Sequence, residues 1–205
     1  MFSFVGQFFS NFHHTGAVLP SWPGLARAMT RSLEQAPGPK RILEVGPGTG
    51  SFTGRILATM NEGDSLHLVE INPIFCRRLE ARHLQPFRAR HPRTELRLHR
   101  GSIESVPLEG TFDFIVCGLP FGNFSPAMAR SIFKRLLGLL AEGGELAYFE
   151  YMALRTIFAP LVGAAGRSRL RRLNAMGKTL HRRHAGRREF VMMNLPPAYA
   201  VRLVR

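Results

Sequence analysis

Apolar and polar positions divide the chain into short apolar runs separated by longer stretches of helical spacing. Residues 42–45, 65–70, 95–99, 112–117 and 145–151 have the length and composition of strands. Ser21 with Pro23 opens a helix that runs to about Gln35, where Ala36-Pro37-Gly38-Pro39 stops it. A helix is expected to begin near Ser51 and run through Met60. Another begins at Asn72-Pro73, a cap followed by a proline at the first helical position, and extends towards Arg90. Ser125-Pro126 starts a helix reaching about Leu140, and Gly143-Gly144 is expected to end it. Two closing antiparallel strands, 189–194 and 199–204, flank Leu195-Pro196-Pro197. Strands that alternate with helices predict a doubly wound α/β sheet, whose ligand sits at the carboxyl ends of the strands.

The first strand-to-helix turn carries the clearest chemistry. Ile42, Leu43 and Val45 lead into Gly46-Pro47-Gly48-Thr49-Gly50, and a glycine turn lets a ligand approach backbone that a Cβ would cover. Glu70 closes the second strand about twenty residues further on, the spacing at which an acid grips ribose hydroxyls. The pattern departs from the dinucleotide fingerprint: the third glycine comes one residue early, and Ser51 holds its place. Glu44, just before the turn, suits a ligand with an amine better than one with a pyrophosphate. A structural turn without a ligand is the minority reading.

Length and charge then narrow the picture. The 205 residues suffice for one well-cored domain with decorations. The composition, 45% hydrophobic and 20% charged, is that of a globular protein rather than a disordered one. A net charge of +14 predicts a polyanionic partner, either nucleic acid or an anionic membrane. Cys76 and Cys117 fall in an expected helix and strand without metal-ligand spacing, so they read as reduced thiols and no metal site is expected. No apolar run is long enough to cross a bilayer, and no signal-type segment opens the chain, so a cytoplasmic location is expected.

Two stretches lie outside this pattern. Phe2, Phe4, Phe8, Phe9 and Phe12 crowd an uncharged segment at helical spacing, which suits a core-packed helix and an interfacial helix equally well. Between Glu150 and Glu189 the chain carries Arg155, Arg187, Arg188 and many other cations with no acid. A charge run without compensating acids, headed by the apolar residues 156–163, fits an insertion on anionic lipid. It fits nucleic acid less well, because no Tyr or Trp interleaves with the arginines to stack on bases.

Glu44-Val-Gly-Pro-Gly-Thr-Gly with Glu70 resembles the first two motifs of the S-adenosylmethionine (SAM)-dependent methyltransferases. Nearly the whole chain is similar to the bacterial phospholipid N-methyltransferases, which methylate phosphatidylethanolamine, and to their relatives acting on ornithine lipids. The similarity rests on the Phe-rich start, Thr15-Gly-Ala-Val, Leu25-Ala-Arg-Ala-Met, the glycine turn, Val69-Glu-Ile-Asn-Pro, Gly118-Leu-Pro with Asn123-Phe124, and Asn194-Leu-Pro-Pro-Ala. It implies a class I, Rossmann-like methyltransferase sheet with helices on both faces over residues 37–205, and a basic insertion at about 152–188. Residues 1–36 would form membrane-associating helices, the first of them amphipathic. SAM would be held by Glu44, Gly46, Gly48, Gly50, Glu70, Ile71, Ser102, Ile103, Gly118 and Leu119, with Ser102 where the family usually places an acid.

The same resemblance implies peripheral attachment to the inner face of the cell membrane, through the phenylalanines and arginines named above. The backbone carbonyls and aromatic walls of residues 118–121 would direct an amine lone pair. Tyr148 and Tyr151 would bind or deprotonate the amine, or simply pack at the sheet edge, and Asn123 joins them as a catalytic candidate. The alternative is an rRNA adenine dimethyltransferase, which shares the sheet and the SAM motifs. Gly118 stands where that family uses an asparagine, and no helical domain is expected after the sheet. A non-catalytic membrane-binding domain is a third reading, disfavoured by the intact glycine turn, Glu44 and Glu70.

Overall fold

The computed structural model describes residues 23–151, 164–192 and 197–205. Phe2, Phe4, Phe8, Phe9, Phe12 and Arg155 lie outside the described residues. Seven strands form one sheet in the order β3-β2-β1-β4-β5-β7-β6. They are β1 (Arg41–Val45), β2 (Ser65–Glu70), β3 (Glu95–Arg100), β4 (Phe112–Cys117), β5 (Leu140–Tyr151), β6 (Arg187–Val191) and β7 (Ala198–Val204). The first five are parallel, and β7 runs antiparallel between β5 and β6. The order reverses at β1/β4, so a crevice opens beyond the carboxyl ends of these two strands.

Apolar side chains of the central strands point to both faces, because each face is covered by helices. On one face α1 (Pro23–Gln35), α2 (Thr53–Thr59) and the helical stretch after β2 pack Leu25, Met29, Ile56, Leu84 and Phe87 against Ile42, Leu66 and Val116. On the other, α5 (Pro126–Leu139) packs Ile132, Phe133 and Leu136 against Leu43, Ile115 and Leu146. At the opposite end from the crevice, Lys40 and Asp64 form a buried ion pair at 3.2 Å. The Asp64 carboxylate also accepts from the Lys40 and Asn61 amides, both at 2.7 Å, tying the starts of β1 and β2 together.

Three expectations change. The helix after β2 is not uniform: α3 (Pro73–Leu79) passes through a π-helical turn (Glu80–Leu84) into α4 (Gln85–Arg90). Pro86 supplies no N–H, and the widened turn, with the Gln85 amide on the Glu80 carbonyl, accommodates its ring. Gly143-Gly144 does not end α5, which stops at Leu139; both glycines lie within β5, where the pairing register with β4 shifts. A Cβ on Gly144 would stand 2.9 Å from the Asp113 carbonyl, so the irregularity needs glycine. The basic insertion contains a 20-residue helix, α6 (Ala164–Arg183), and ends earlier than expected, because Arg187 and Arg188 already belong to β6.

Helix α6 is amphipathic. Leu173, Met176 and Leu180 pack against the α5 side of the core. Arg169, Arg171, Arg172, Lys178, Arg182 and Arg183 face outward. Its apolar stripe is therefore used within the fold, and its cations form a surface without an acid. Among the described residues no helix is long and apolar enough to cross a membrane.

Candidate cofactor and substrate site

The glycine turn is built by close approach. Gly46 and Gly48 have φ of 68° and 57°, a region in which a Cβ is strained. A Cβ on Gly46 would meet the Leu119 side chain at 2.6 Å, and one on Gly118 would meet the Gly46 carbonyl at the same distance. The ends of β1 and β4 are thus pressed together at the crevice. Gly48 differs: nothing lies within 4 Å of the position its Cβ would take, so its surface is open to a ligand.

Around this turn a crevice is lined by Val45, Gly46, Val69, Glu70, Ile71, Gly101, Ser102, Ile103, Leu119, Phe124 and Ile132. The structure therefore brings together Gly46, Glu70, Ile71, Ser102, Ile103 and Leu119 from the expected set, with Gly48, Gly50 and Gly118 shaping the turn behind them. Glu70 Oε2 accepts from the Gly48 amide at 3.0 Å and Oε1 from the Asn72 amide at 2.8 Å. Burial raises the Glu70 pKa above the ordinary carboxylate value, while these amides hold it down. Ser102 sits on the crevice wall, but its hydroxyl accepts from the Glu104 amide at 3.3 Å within its own turn.

Glu44 occupies a different place from the one expected. It is fully buried behind the turn, does not line the crevice, and faces Thr53 in the first turn of α2. Burial pushes its pKa up to about 8; Thr53 offsets part of this, and the charge of Glu70 adds to it. Neither carboxylate oxygen, nor the Thr53 hydroxyl, completes a hydrogen bond of normal geometry. An orphaned buried carboxyl beneath an open glycine is the feature expected of a site that completes its polar contacts when filled.

A residue that sequence reasoning missed closes the other side. His83, carried by the π-helical turn, lies against Gly50, where a Cβ would come within 2.4 Å of its ring. Burial lowers its pKa, partly offset by the Thr49 backbone. Proline at 86 was the available signal, but nothing in the sequence said which residue the widened turn would present.

A second cleft adjoins the first. It is lined by Pro120, Phe121, Gly122, Phe133, Tyr148, Phe149, Glu150, Tyr151, Leu170, Leu173, Asn174, Met176 and Gly177, and encloses about 620 Å³ counting its open mouth. Segment 119–124 divides the two spaces, with Leu119 and Phe124 on the first and Pro120, Phe121 and Gly122 on the second. Phe121 stacks on Phe133 at 4.2 Å, and Tyr148 meets both rings edge-on at 5.8 and 5.0 Å. Such contacts contribute about 0.5–1.5 kcal/mol each beyond burial.

The amine-handling candidates separate here. Tyr148 and Tyr151 line the second cleft, whereas Asn123 lines neither space. Tyr148 is buried and donates to Glu150 Oε1 at 3.3 Å, and burial raises the Tyr151 pKa. Both rings wall the second cleft. The carbonyls of Leu119 and Pro120 accept from the Phe121 and Asn123 amides inside a 3-10 turn, so each has one lone pair committed. Arg187 and Arg188 are both exposed, and the Arg188 guanidinium reaches Glu150 Oε2 at 3.2 Å.

The residues present fit SAM. Glu70 would take the ribose hydroxyls, the wall at Ser102 and Ile103 the adenine, and the open Gly48 with Glu44 behind it the amino-acid end.

A methyltransferase domain model matches residues 42–144, half of the chain. The ornithine lipid N-methyltransferase of Singulisphaera acidiphila is 28% identical over 70% of this chain and 73% of its own length. A ribosomal RNA small subunit methyltransferase A of Synechococcus is 32% identical over 63% of this chain, which spans only 40% of that enzyme. Among solved structures, the O-methyltransferase of Bacillus cereus in complex with SAH superposes with a TM-score of 0.63, at 15% identity, over 97% of this chain and 88% of its own. TomG of Streptomyces achromogenes superposes with a TM-score of 0.57, at 16% identity, over 96% of each chain. The match over β1 to β5 and the crevice at their carboxyl ends carry one conclusion: the chain belongs to the methyltransferase domain family and is a SAM-dependent methyltransferase.

Proposed function

We propose that this enzyme transfers methyl groups to the amine of a membrane lipid, phosphatidylethanolamine or its methylated forms or an ornithine lipid, at the inner face of the cell membrane. One observation carries the reading. The aromatic cleft beside the cofactor crevice is roofed by α6, and the outward face of α6 is cationic without an acid. A lipid held at an anionic surface by that face would present its headgroup to the cleft below. The 28% identical relative named as an ornithine lipid N-methyltransferase supports it.

SAM supplies a methyl group on a sulfonium, open to attack by a neutral amine. The chain's part is alignment: Phe121, Tyr148 and Tyr151 wall the amine, and ring faces favour the cation that forms on nitrogen. A second reading, methylation of ribosomal RNA, draws on relatives at 32–34% identity and on the positive charge. The apolar lining of the second cleft favours the lipid.

The test is transfer of radiolabelled methyl from SAM to anionic vesicles carrying either aminolipid, with ribosomal RNA in parallel. Label in a lipid fraction supports the proposal and names the substrate. Label in RNA alone overturns it.

A further inference from the structure

Within the second cleft the lining is apolar or neutral except at one point. Glu150 is the one charged side chain among the described lining residues, at the end of β5 where the cleft opens beside α6. Its carboxylate lies between Tyr148, which donates to Oε1 at 3.3 Å, and Arg188 of the edge strand β6, 3.2 Å from Oε2. Gly177 of α6 makes room for it, since a Cβ there would stand 3.2 Å from Oε1. These are long contacts for charged partners. Glu189 on the same strand is held by Arg31 and Arg202 at 2.7 and 2.5 Å.

Resting on the lipid reading above, we propose that Glu150 and Arg188 together form the headgroup dock, selecting an amine that carries an anionic group a short linker away. The ammonium of the arriving head takes Glu150 and releases a proton to solvent before its nitrogen attacks the methyl group, while its phosphate or carboxylate takes Arg188. The Glu150–Arg188 contact is exchanged for two contacts to the head, one at each charge. A carboxylate alone would accept any amine. An arginine beside it adds the second requirement, since a guanidinium binds phosphate and carboxylate in a fixed fork. A phosphoethanolamine head and an ornithine head share this zwitterionic chemistry.

The experiment uses the full chain and vesicles of constant surface charge, carrying phosphatidylethanolamine, an ornithine lipid, or a long-chain alkylamine that has no anionic group. Arg188→Gln should raise KM for the zwitterionic substrate about tenfold more than for the alkylamine, the loss of one charge-assisted contact. Glu150→Gln should impair all amines alike. Arg93→Gln, a change of equal charge at an exposed site paired with Glu62, serves as the control and should alter neither. Which zwitterion is labelled distinguishes the two sources. An equal effect of R188Q on zwitterion and alkylamine, or none, overturns the dock while leaving lipid methylation intact. Absence of label in every lipid with the wild type overturns the lipid reading and the dock with it. If R188Q fails to bind SAM by calorimetry, the wild type decides: equal kcat/KM for alkylamine and zwitterion overturns the proposal, and a preference of about tenfold for the zwitterion supports it.

Discussion

The carboxylate of Glu70 spans the turn between the first two strands, accepting the Gly48 amide at 3.0 Å. The acid and the glycine turn are therefore one unit: Glu70 fixes the backbone at Gly48, and its remaining lone pairs are where ribose hydroxyls would bind. Replacing Glu70 with Ala removes the ribose contacts and releases Gly48 together. With charge-assisted hydrogen bonds at about 1.5–3 kcal/mol each, SAM affinity should fall on the order of a hundredfold or more. Calorimetric titration checks this, and wild-type affinity in the variant would place the ribose elsewhere.

Glu44 makes the opposite demand on pH from most carboxylates. Its folded pKa, raised to about 8 by burial, exceeds the unfolded value of 4.5. The native state therefore holds a proton that the unfolded chain releases, and this contribution, full below about 4.5, is lost as pH rises through about 8. Glu44→Gln keeps the shape without the titration. Urea unfolding should show the variant gaining on the wild type steadily from pH 5 to pH 8.5, with SAM binding weakened at every pH. A constant stability difference across that range would mean that Glu44 is already ionised when buried.

A second titration runs the other way. His67 on β2 lies 3.1 Å from His99 on β3 through ring nitrogens and packs edge-on against Phe112. Burial first, then His99, lowers its pKa to about 4; Glu95 opposes this, and Arg41 and Arg97 add to it. His99 and His83 are lowered as well, chiefly by burial. A folded pKa below the unfolded value of 6.5 means stability complete above pH 6.5 and lost as pH falls towards 4. The melting temperature should drop across that window, and His67→Gln should flatten the slope only in part. An unchanged slope would show that the other histidines carry the effect.

Sheet and cofactor crevice were legible because each depends on a local pattern. Residues 65–70 and 112–117 coincide with β2 and β4, and Gly46, Gly48 and Glu70 meet as their spacing implied. What failed depended on contacts between distant segments. Gly143-Gly144 is a helix stop in isolation, but pairing with β4 draws it into a strand. Glu44 sits on a strand buried on both faces, so the run of residues does not say where its side chain goes; the packing of α2 sets it against Thr53. Glu150 drew no notice as the last acid before a run of cations, yet that position is what sets it against Arg188. The arginine-rich insertion looked like a charge run because its apolar stripe, Leu173, Met176 and Leu180, is sparse among ten lysines and arginines of the wider stretch and shows only at helical spacing.

That helix gives the sharpest test of membrane attachment. Arg171, Arg172 and Arg182 are exposed on the outward face of α6, while Leu173, Met176 and Leu180 hold its other side in the core. Changing the three arginines to glutamine should leave the fold and SAM binding intact, since none lines the crevice or the core. If the face binds anionic lipid, each charge is worth about 1 kcal/mol near the surface, so the triple variant should lose roughly a hundredfold in affinity for phosphatidylglycerol-containing vesicles. The wild-type affinity should fall with added salt, and the variant's salt dependence should be shallower, because screening acts on the charges that remain. Vesicle co-sedimentation at two ionic strengths measures both. Unchanged binding and unchanged salt dependence would remove α6 from the membrane contact and leave attachment to segments before Pro23 or to residues 152–163.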